Sequence, residues 1–335
     1  MPELFAPLAI KGLHFLNRIM IPPMASRIST DNGLPTEDTY KYYLPLAESG
    51  AGLALVEHHA VKAEGRARLK QLLIDREEVI PYQKKLVEVF ISRQMPVFLQ
   101  INHAGALIQD KDLLKDGWIP KGPSRVQHPM CNLEIIPEEF PLEEISLIPS
   151  FFADAALRGL KAGYSGIEIH AAHGYLLGQF LSPWTNRRSD AYGGKLENRA
   201  KLIFEVYESV RNTVGEEFPL ALRLGMADTL PNTKPSGQTI EESIWVAQEL
   251  CSMGVDLLDL SGNMCGYQGH GEGWFAPYCH TIREAIKEAA RKVPIACTGG
   301  VRTKEKAQDL LNNGCCDLVG VGRALREDPC LIRSW

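Results

Sequence analysis

The chain has 335 residues, of which 45% are hydrophobic and 23% charged, and its formal net charge is −5. This composition is typical of a globular protein with a large core, and the negative charge argues against nucleic acid as a partner, since a nucleic-acid groove needs clustered Lys and Arg. Met1 is not followed by the basic stretch and apolar run of a signal peptide, and no uninterrupted apolar run approaches about 18 residues. We therefore predict a cytoplasmic protein without a membrane span.

Eight short apolar runs rich in Val, Ile and Leu are predicted strands. They cover residues 18–21, 52–57, 97–101, 166–170, 220–224, 257–260, 295–298 and 318–321. Seven amphipathic segments between them are predicted helices, at 37–48, 78–93, 145–162, 196–214, 240–253, 281–292 and 304–313. Strands apolar on both faces that alternate with helices predict a parallel sheet, and the lack of a polar edge strand favours closure. We therefore predict an α/β fold, a (β/α)8 TIM barrel with long βα loops, in one domain over residues 1–335.

Two connections are too long to be simple turns. Residues 104–144 and 227–239 each follow a predicted strand, on the barrel face where active sites lie. Their aromatic residues, and those that follow them in the chain, are candidates to shape a pocket: Trp118, Tyr267, Trp274 and Phe275.

The eight cysteines are scattered, and none of them forms a CxxC pair. This spacing is typical of reduced thiols rather than of a zinc or iron–sulfur site, so we predict no metal.

The strongest chemical signal runs off the end of the fourth strand. His170 and His173 emerge there, and Tyr175 comes two residues later. A metal pair would need a third ligand, which is not evident nearby, and two structural histidines are a further alternative. We favour paired donors to a carbonyl or ring oxygen, with Tyr175 as a proton source.

A longer stretch around these residues resembles the Old Yellow Enzyme family of NAD(P)H-driven, FMN-dependent ene-reductases. The match runs through His170-Ala171-Ala172-His173-Gly174-Tyr175-Leu176-Leu177, Gln179-Phe180-Leu181-Ser182-Pro183, Thr185-Asn186-Arg187-Arg188, Asp190, Tyr192-Gly193-Gly194 and Glu197-Asn198-Arg199. At the N-terminus, Leu4-Phe5-Ala6-Pro7-Leu8 and Asn17-Arg18-Ile19 resemble the opening hairpin and first strand of the family, which implies an N-terminal hairpin before the barrel.

The resemblance implies an FMN site along the barrel mouth. Residues matching Pro23, Met24 and Ala25 lie against the flavin in the family, Gln100 matches a glutamine that bonds the pyrimidine ring, and Arg223 matches an arginine at the N1–C2 edge. A cation there would stabilise the anionic reduced flavin, although a core-edge salt bridge is the alternative for Arg223.

The last two strands supply a predicted phosphate site. Gly299 and Gly300 follow one strand, and Gly322 and Arg323 follow the next. Glycines in these two loops let backbone N–H groups approach a phosphate, and the arginine adds charge.

The implied reaction is a ping-pong cycle with two small-molecule partners. NADH or NADPH reduces FMN, and an electron-poor alkene then binds with its carbonyl oxygen between His170 and His173. Hydride goes to the β-carbon, and Tyr175 protonates the α-carbon from the other side. Arg27 is a further candidate for substrate binding.

Several features depart from the family. Ala25 stands where many relatives carry Thr or Cys, and His58, followed by His59, stands where a small residue is common. His58 is a candidate cofactor contact, although the two histidines could extend the polar floor of the pocket or pack elsewhere.

Other functions remain open. The chain could be the barrel domain of a longer iron–sulfur flavoenzyme of the 2,4-dienoyl-CoA reductase type, or another FMN-barrel dehydrogenase. A full eighth helix is not evident before Trp335. A homo-oligomer interface could cover its place.

Overall fold

A computed structural model describes residues 2–230, 237–265, 271–287 and 292–335. Within this part of the chain, eight parallel strands close into a barrel in sequence order. They are β1 (Ile19–Ile21), β2 (Leu53–Ala60), β3 (Val97–Asn102), β4 (Gly166–Ala171), β5 (Leu220–Gly225), β6 (Leu257–Ser261), β7 (Ile295–Thr298) and β8 (Leu318–Gly320). The predicted TIM barrel and each of its eight strands are confirmed, with small differences at the strand ends.

Helices follow the strands around the outside. They are α1 (Glu37–Ala47), α2 (Ile80–Ile91), α3 (Ile148–Ala162), α4 (Leu196–Val214), α5 (Ile240–Ser252), α6 (Ala276–Ile286), α7 (Lys304–Asn312) and the short α8 (Arg323–Glu327). Thr36 and Thr239 form capping boxes that satisfy free N–H groups at the starts of α1 and α5.

Two helix starts differ from the prediction, and proline explains both. The predicted helix 145–162 is divided into Leu142–Ile145 and α3, because Pro149 fits only in a first turn. Likewise α6 starts five residues early, since Pro277 occupies its first turn. Of the predicted segment 281–292, residues 288–291 lie outside the described part.

Several short elements were not predicted. A six-residue helix, Leu176–Leu181, follows β4, and the long connection after β3 contains a 3₁₀ helix at Lys111–Gly117. The chain ends in a 3₁₀ helix at Leu331–Ser334, where Ile332 is buried. None of the described helices is long and apolar enough to cross a bilayer.

An N-terminal hairpin closes one end of the barrel. Strands Leu8–Ile10 and Leu13–Phe15 pair antiparallel, and the buried Ile10 and Phe15 pack into the interior, with the Phe15 and Phe98 rings 6.5 Å apart. Since this plug fills the amino-terminal end, the open end is the one where the strands finish.

A bulge in β2 changes which side chains face the interior. The pairing of β2 with β3 shifts register between Val56 and His59. Within the shift, His58 contacts residues at the barrel mouth, while Glu57 accepts a hydrogen bond from Tyr43 on α1. One extra residue reverses the inward and outward alternation of a strand, so the bulge brings His58 to the mouth.

Candidate active site

Four polar side chains form a buried layer inside the barrel. The Nε2 amide of Gln100 on β3 donates to Oε1 of Glu168 on β4 at 2.7 Å. On the next two strands, Arg223 Nε of β5 lies 3.1 Å from Asp259 Oδ2 of β6. All four residues are at most 4% exposed. Arg223 therefore forms a salt bridge, the alternative to a flavin contact in the sequence analysis. The salt bridge lies within the site rather than at the edge of the core.

The two carboxyls of this layer resist ionisation. Burial, followed by repulsion from Asp259, raises the pKa of Glu168 well above its usual value. Burial also raises the pKa of Asp259 to about 6, although the neighbouring Arg223 opposes that shift. A neutral Glu168 leaves Arg223 opposite a single counter-charge.

Above this layer lies a cluster of four rings. His170 is the hub: its ring centroid is 4.9 Å from that of His173, 5.0 Å from Tyr175 and 6.2 Å from His58. The rings of His58 and Tyr175 are 5.1 Å apart. The structure thus brings together the three predicted catalytic residues and His58.

Burial determines the protonation state of the cluster. It lowers the pKa of His170 and of His173 well below the usual value, and the positive charge of Arg223 acts in the same direction. It lowers the pKa of His58 to about 4 and raises that of Tyr175 to about 12. At neutral pH the imidazoles are therefore uncharged, each with one N–H to donate, and the phenol holds its proton.

The turn that carries His173 is held in place from several sides. His173 and Gly174 both have left-handed φ angles, +61° and +71°. The Gly174 N–H donates to Asn263 Oδ1 at 3.0 Å, and its carbonyl lies 2.8 Å from His128 Nε2 and 2.7 Å from the Gln179 amide. A non-glycine residue in this conformation is strained, and such strain is frequently found at functional sites.

Two further hydrogen bonds orient the imidazoles. His173 Nε2 lies 2.8 Å from the Ser261 hydroxyl. The Gln71 amide donates to His58 Nδ1 at 3.1 Å, which leaves the proton of a neutral His58 on Nε2. His59 packs away from the pocket, the second of the two roles that the sequence left open. Its Nδ1 bonds the Glu57 carbonyl, and its ring is fully buried.

A cavity opens beside the ring cluster. His173 and Arg223 belong to its wall, so it adjoins both polar groups. Most of the predicted cofactor contacts also line it, and they come from the ends of β1, β5, β7 and β8: Pro23, Met24, Arg223, Gly299, Gly300, Gly322 and Arg323. Trp274 and Phe275 line it as well.

The cavity fits a planar anionic cofactor such as FMN. The His170 side chain has a buried nitrogen, Nδ1, without a hydrogen-bond partner among the described residues, and the Arg223 guanidinium lines the cavity. At the other end, a Cβ on Gly322 would lie 3.1 Å from Pro22 Cγ, a tight contact that the glycine avoids. The Arg323 guanidinium lies over the Trp274 ring, 5.4 Å from its centroid, at the rim of the same loops. Donors at one end and a cation with open backbone at the other match a ring and a phosphate.

The remaining predicted contacts lie off this cavity. Gln100 is in the buried layer below, and the exposed Ala25 and Arg27 lie at the rim. Trp118 lines a separate cavity with His103 and Phe140, although it also packs in the cluster that contains Tyr175. Tyr267 is outside the described residues.

Sequence reasoning did not assign Glu168, Asp259, Gln71 or Arg68. A signal was present for the first two, since an acidic residue in the middle of a buried strand needs a partner. For Gln71 and Arg68, both on a loop, the sequence carries no comparable signal.

Much of the family-like motif that follows Tyr175 in the sequence has a structural role. Arg188 is 7% exposed and binds Asp190 and two backbone carbonyls, and Arg199 pairs with Glu242. These buried arginines fix the segment between β4 and α4 against the rest of the barrel.

Comparison with known proteins gives consistent matches. The model of the NADH:flavin oxidoreductase / NADH oxidase family matches residues 3–334. The chain is 33% identical over 338 residues to an NADH oxidase from Thermoanaerobacter brockii and 34% identical over 329 residues to an NADPH dehydrogenase from Bacillus pumilus, covering 98% of this chain in both cases. The solved old yellow enzyme homologue from Zymomonas mobilis superposes with a TM-score of 0.83 at 28% identity, over 99% of this chain and 92% of that one.

These relatives differ in length. The chain spans 50% of the T. brockii protein but 92% of the B. pumilus protein.

Proposed function

Because the chain belongs to the NADH:flavin oxidoreductase / NADH oxidase family, of Old Yellow Enzyme type, we propose that it reduces the C=C bond of an α,β-unsaturated carbonyl compound or a related electron-poor alkene. Family membership implies FMN as the cofactor and NADH or NADPH as the reductant. The observation that supports the proposal is the cluster of His170, His173 and Tyr175 beside a cavity with the predicted FMN contacts.

FMN, when bound, would accept a hydride from the nicotinamide and pass it to the alkene. Pro23, Met24 and Arg223 would contact its ring system, with Gln100 beneath, and Gly299, Gly300, Gly322 and Arg323 would hold its phosphate. Arg223 keeps a positive charge there while paired with Asp259, so it would stabilise negative charge that develops at the ring edge.

His170 and His173 would bind the carbonyl oxygen of the alkene. Both imidazoles are neutral and their rings are perpendicular with centroids 4.9 Å apart, so one N–H of each would donate to a shared acceptor. Two fixed donors lower the energy of the enolate-like charge that appears on that oxygen.

Tyr175 would supply the proton to the α-carbon. Its hydroxyl belongs to a ring 5.0 Å from His170, close to the carbonyl position, and its raised pKa of about 12 keeps it protonated. The phenolate left behind would be stabilised by the positive charges of Arg27 and Arg68, which lower this pKa against the effect of burial.

A second candidate is the barrel of a longer flavoenzyme. The match covers 50% of the T. brockii NADH oxidase, so that relative has a further region beyond the barrel. In this second candidate, the chain functions together with such a region. The barrel chemistry would be the same, and the partner regions would differ.

Anaerobic stopped-flow experiments on the purified yellow holoenzyme test the proposal. Flavin bleaching by NADH or NADPH is followed first, and its reoxidation by enones, nitroalkenes and enoyl thioesters second. We expect Tyr175→Phe to slow the second step by about 100-fold or more, the usual contribution of a positioned general acid, and to leave the first step intact. Tyr82→Phe, which removes a hydroxyl on the outer helix α2, is the control.

Equal losses in both half-reactions would contradict the role of Tyr175. If no alkene reoxidised the flavin after NAD(P)H had reduced it, the alkene-reductase proposal itself would be wrong.

A further inference from the structure

Three consecutive residues at the end of β6 hold the turn that follows β4. The Ser261 hydroxyl lies 2.8 Å from His173 Nε2, and the Gly262 carbonyl accepts the N–H of His173 at 3.1 Å. Asn263 Oδ1 accepts the N–H of Gly174 at 3.0 Å. The end of β6 therefore fixes the backbone from which the predicted proton donor projects.

The amide of Asn263 makes contacts on both sides of Tyr175 in the sequence. Its Oδ1 accepts from Gly174, one residue before Tyr175, and its Nδ2 lies 3.2 Å from the carbonyl of Gly178, three residues after it. Asn263 is fully buried, and a Cβ on Gly225 would lie 2.6 Å from Asn263 Cβ. In such close packing the side chain has one alternative that keeps its shape, an exchange of the two ends of the amide.

The carboxyl of Asp228, just after β5, determines which end of the amide faces the turn. Asp228 Oδ1 accepts from Asn263 Nδ2 at 2.9 Å and from the N–H of Met264 at 3.0 Å. A carboxylate only accepts hydrogen bonds, so it pairs with the amide NH₂ and leaves Asn263 Oδ1 for Gly174. The exchanged amide would place an oxygen against the carboxylate and an NH₂ against a backbone N–H, and both contacts would be repulsive.

The carboxyl of Asp228 is itself surrounded by donors. Its Oδ2 accepts from the Ser182 hydroxyl at 2.5 Å and from the N–H of Gln238 at 2.8 Å. Burial raises the pKa of Asp228, and these hydrogen bonds oppose the rise. Both partners of Oδ1 are N–H groups, which offer no acceptor for a carboxyl proton, so the arrangement fits the ionised carboxylate.

We propose that Asp228 is a positioning residue for Tyr175, acting through the Asn263 amide on the turn after β4. The inference rests on the proposed alkene reduction, in which this turn presents His173 and Tyr175 to the alkene. Reduction of the flavin by NAD(P)H does not use the Tyr175 proton. That half-reaction should therefore be insensitive to Asp228, whereas the alkene half-reaction should depend on it.

Two substitutions at one hydrogen-bonded group separate orientation from stability. Asp228→Asn keeps the shape but can donate as well as accept, so it no longer fixes the Asn263 amide. Ser182→Ala removes a different donor to the same carboxyl and keeps both contacts at Oδ1, so it is the matched control. The melting temperatures of the two holoenzymes show how far each variant loses stability in general.

Anaerobic stopped-flow measurements give the first readout. With cyclohex-2-enone, we expect Asp228→Asn to slow flavin reoxidation by about tenfold or more, because small displacements at a reacting centre are costly. Flavin reduction by NADPH should stay within about twofold of the wild type. Ser182→Ala should keep both rates.

A third variant gives a pH signature that a merely structural role would not produce. Asn263→Asp places two carboxyls face to face, and such a pair shares one proton at low pH. The remaining oxygen then still accepts from Gly174, whereas loss of the proton makes the pair repel and releases the turn. Relative to the wild type at each pH, we expect reoxidation to be nearly normal at about pH 6 and about tenfold slower at about pH 8.5.

The neighbouring titratable groups do not interfere in this pH range. Burial, and then the charge of Asp228, raises the pKa of the Cys265 thiol to about 12. Burial lowers the pKa of His173 well below its usual value, so its imidazole is already neutral. A pH dependence confined to Asn263→Asp therefore reports the carboxyl pair.

Amide exchange at the turn needs no turnover. Hydrogen–deuterium exchange of the holoenzyme is followed in peptides that cover residues 171–178. We expect Asp228→Asn to speed exchange of the Gly174 amide by about tenfold or more, since its acceptor is no longer held, and Ser182→Ala to leave it unchanged. Should the enzyme reduce no alkene, the proposed function fails, and this measurement still decides whether Asp228 holds the turn.

Three results would overturn the positioning role. The first is wild-type reoxidation in Asp228→Asn, whether or not its amide exchange rises. The second is equal slowing of both half-reactions in Asp228→Asn and Ser182→Ala with parallel falls in melting temperature, which would make Asp228 a general structural group. The third is a reoxidation rate in Asn263→Asp that follows the wild type at every pH.

Discussion

At the scale of single residues, the unusual group is the Glu168 carboxyl, which is fully buried inside the barrel and has a pKa raised well above its usual value. Glu168 accepts one hydrogen bond from Gln100 and has no partner for Oε2 among the described residues. Burial and the negative Asp259 both raise its pKa. Because the raised pKa favours the neutral acid, Glu168 orients the Gln100 amide while Asp259 remains the counter-charge of Arg223.

Substitutions of Glu168 can separate the neutral from the ionised form. Glu168→Gln keeps an acceptor for Gln100 and should change the free energy of unfolding by less than about 1 kcal/mol, whereas Glu168→Leu leaves that amide unpaired and should cost about 1–3 kcal/mol. Urea unfolding at pH 7 measures both. An equally large loss in the two variants would mean that Glu168 is ionised in the folded protein.

At the scale of elements, the turn between β4 and the short helix Leu176–Leu181 determines the site geometry. It positions His173 and Tyr175 from one left-handed segment, and residues from three other parts of the chain hold it. A Cβ on Gly174 would lie 2.9 Å from the His128 ring, so any larger residue must displace either the turn or His128.

Two glycine substitutions isolate the effect of that contact. Gly174 and Gly254 both have left-handed φ angles, but a Cβ on Gly254 would meet nothing within 4 Å. Both alanine variants should lose about 1–2 kcal/mol of stability from backbone strain. Only Gly174→Ala should also slow reoxidation of the flavin by alkenes, by about 100-fold, because small displacements at a reacting centre are that costly. Similar stopped-flow rates in the two variants would show that the turn tolerates the shift.

At the scale of the whole molecule, buried ionisable groups make stability depend on pH. Among the described residues, burial lowers the pKa of six histidines, to about 4 where a value is resolved: His58, His59, His103, His128, His170 and His173. It raises the pKa of four carboxyls, an effect of opposite sign: Glu57, Glu168, Asp228 and Asp259. The histidines outnumber the carboxyls, so the unfolded chain binds more protons than the folded one below the ordinary histidine pKa.

The expected result is a loss of stability on acidification. The histidine contribution is fully present above about pH 6.5, the unfolded pKa, and is lost as the pH falls towards about 4, at about 1.4 kcal/mol per pH unit for each net proton. Thermal unfolding of the holoenzyme between pH 8 and pH 5 measures this. A melting temperature that stayed constant or rose below pH 6.5 would contradict the buried, neutral state of these histidines.

The sequence alone determined the barrel, its strand order and the residues with reactive groups. These depend on local patterns, because helix and strand periods, proline positions and glycine turns act within a few residues. His170, His173 and Tyr175 lie within six residues of one strand end, so their proximity followed from the strand itself. The single-domain organisation, the oligomeric state and the individual site roles stay predictions.

Only the tertiary structure decided how distant segments meet. The bulge that brings His58 to the mouth beside His170, the ion pair between Arg223 and Asp259, and the hydrogen bond from Gly174 to Asn263 join residues separated by tens to more than a hundred positions. Such contacts depend on strand register and barrel closure, and a shift of one residue would reverse which side chains face inward. The nature of the chemistry was therefore readable in the sequence, whereas the arrangement of polar groups around the site emerges only where segments from different strands converge.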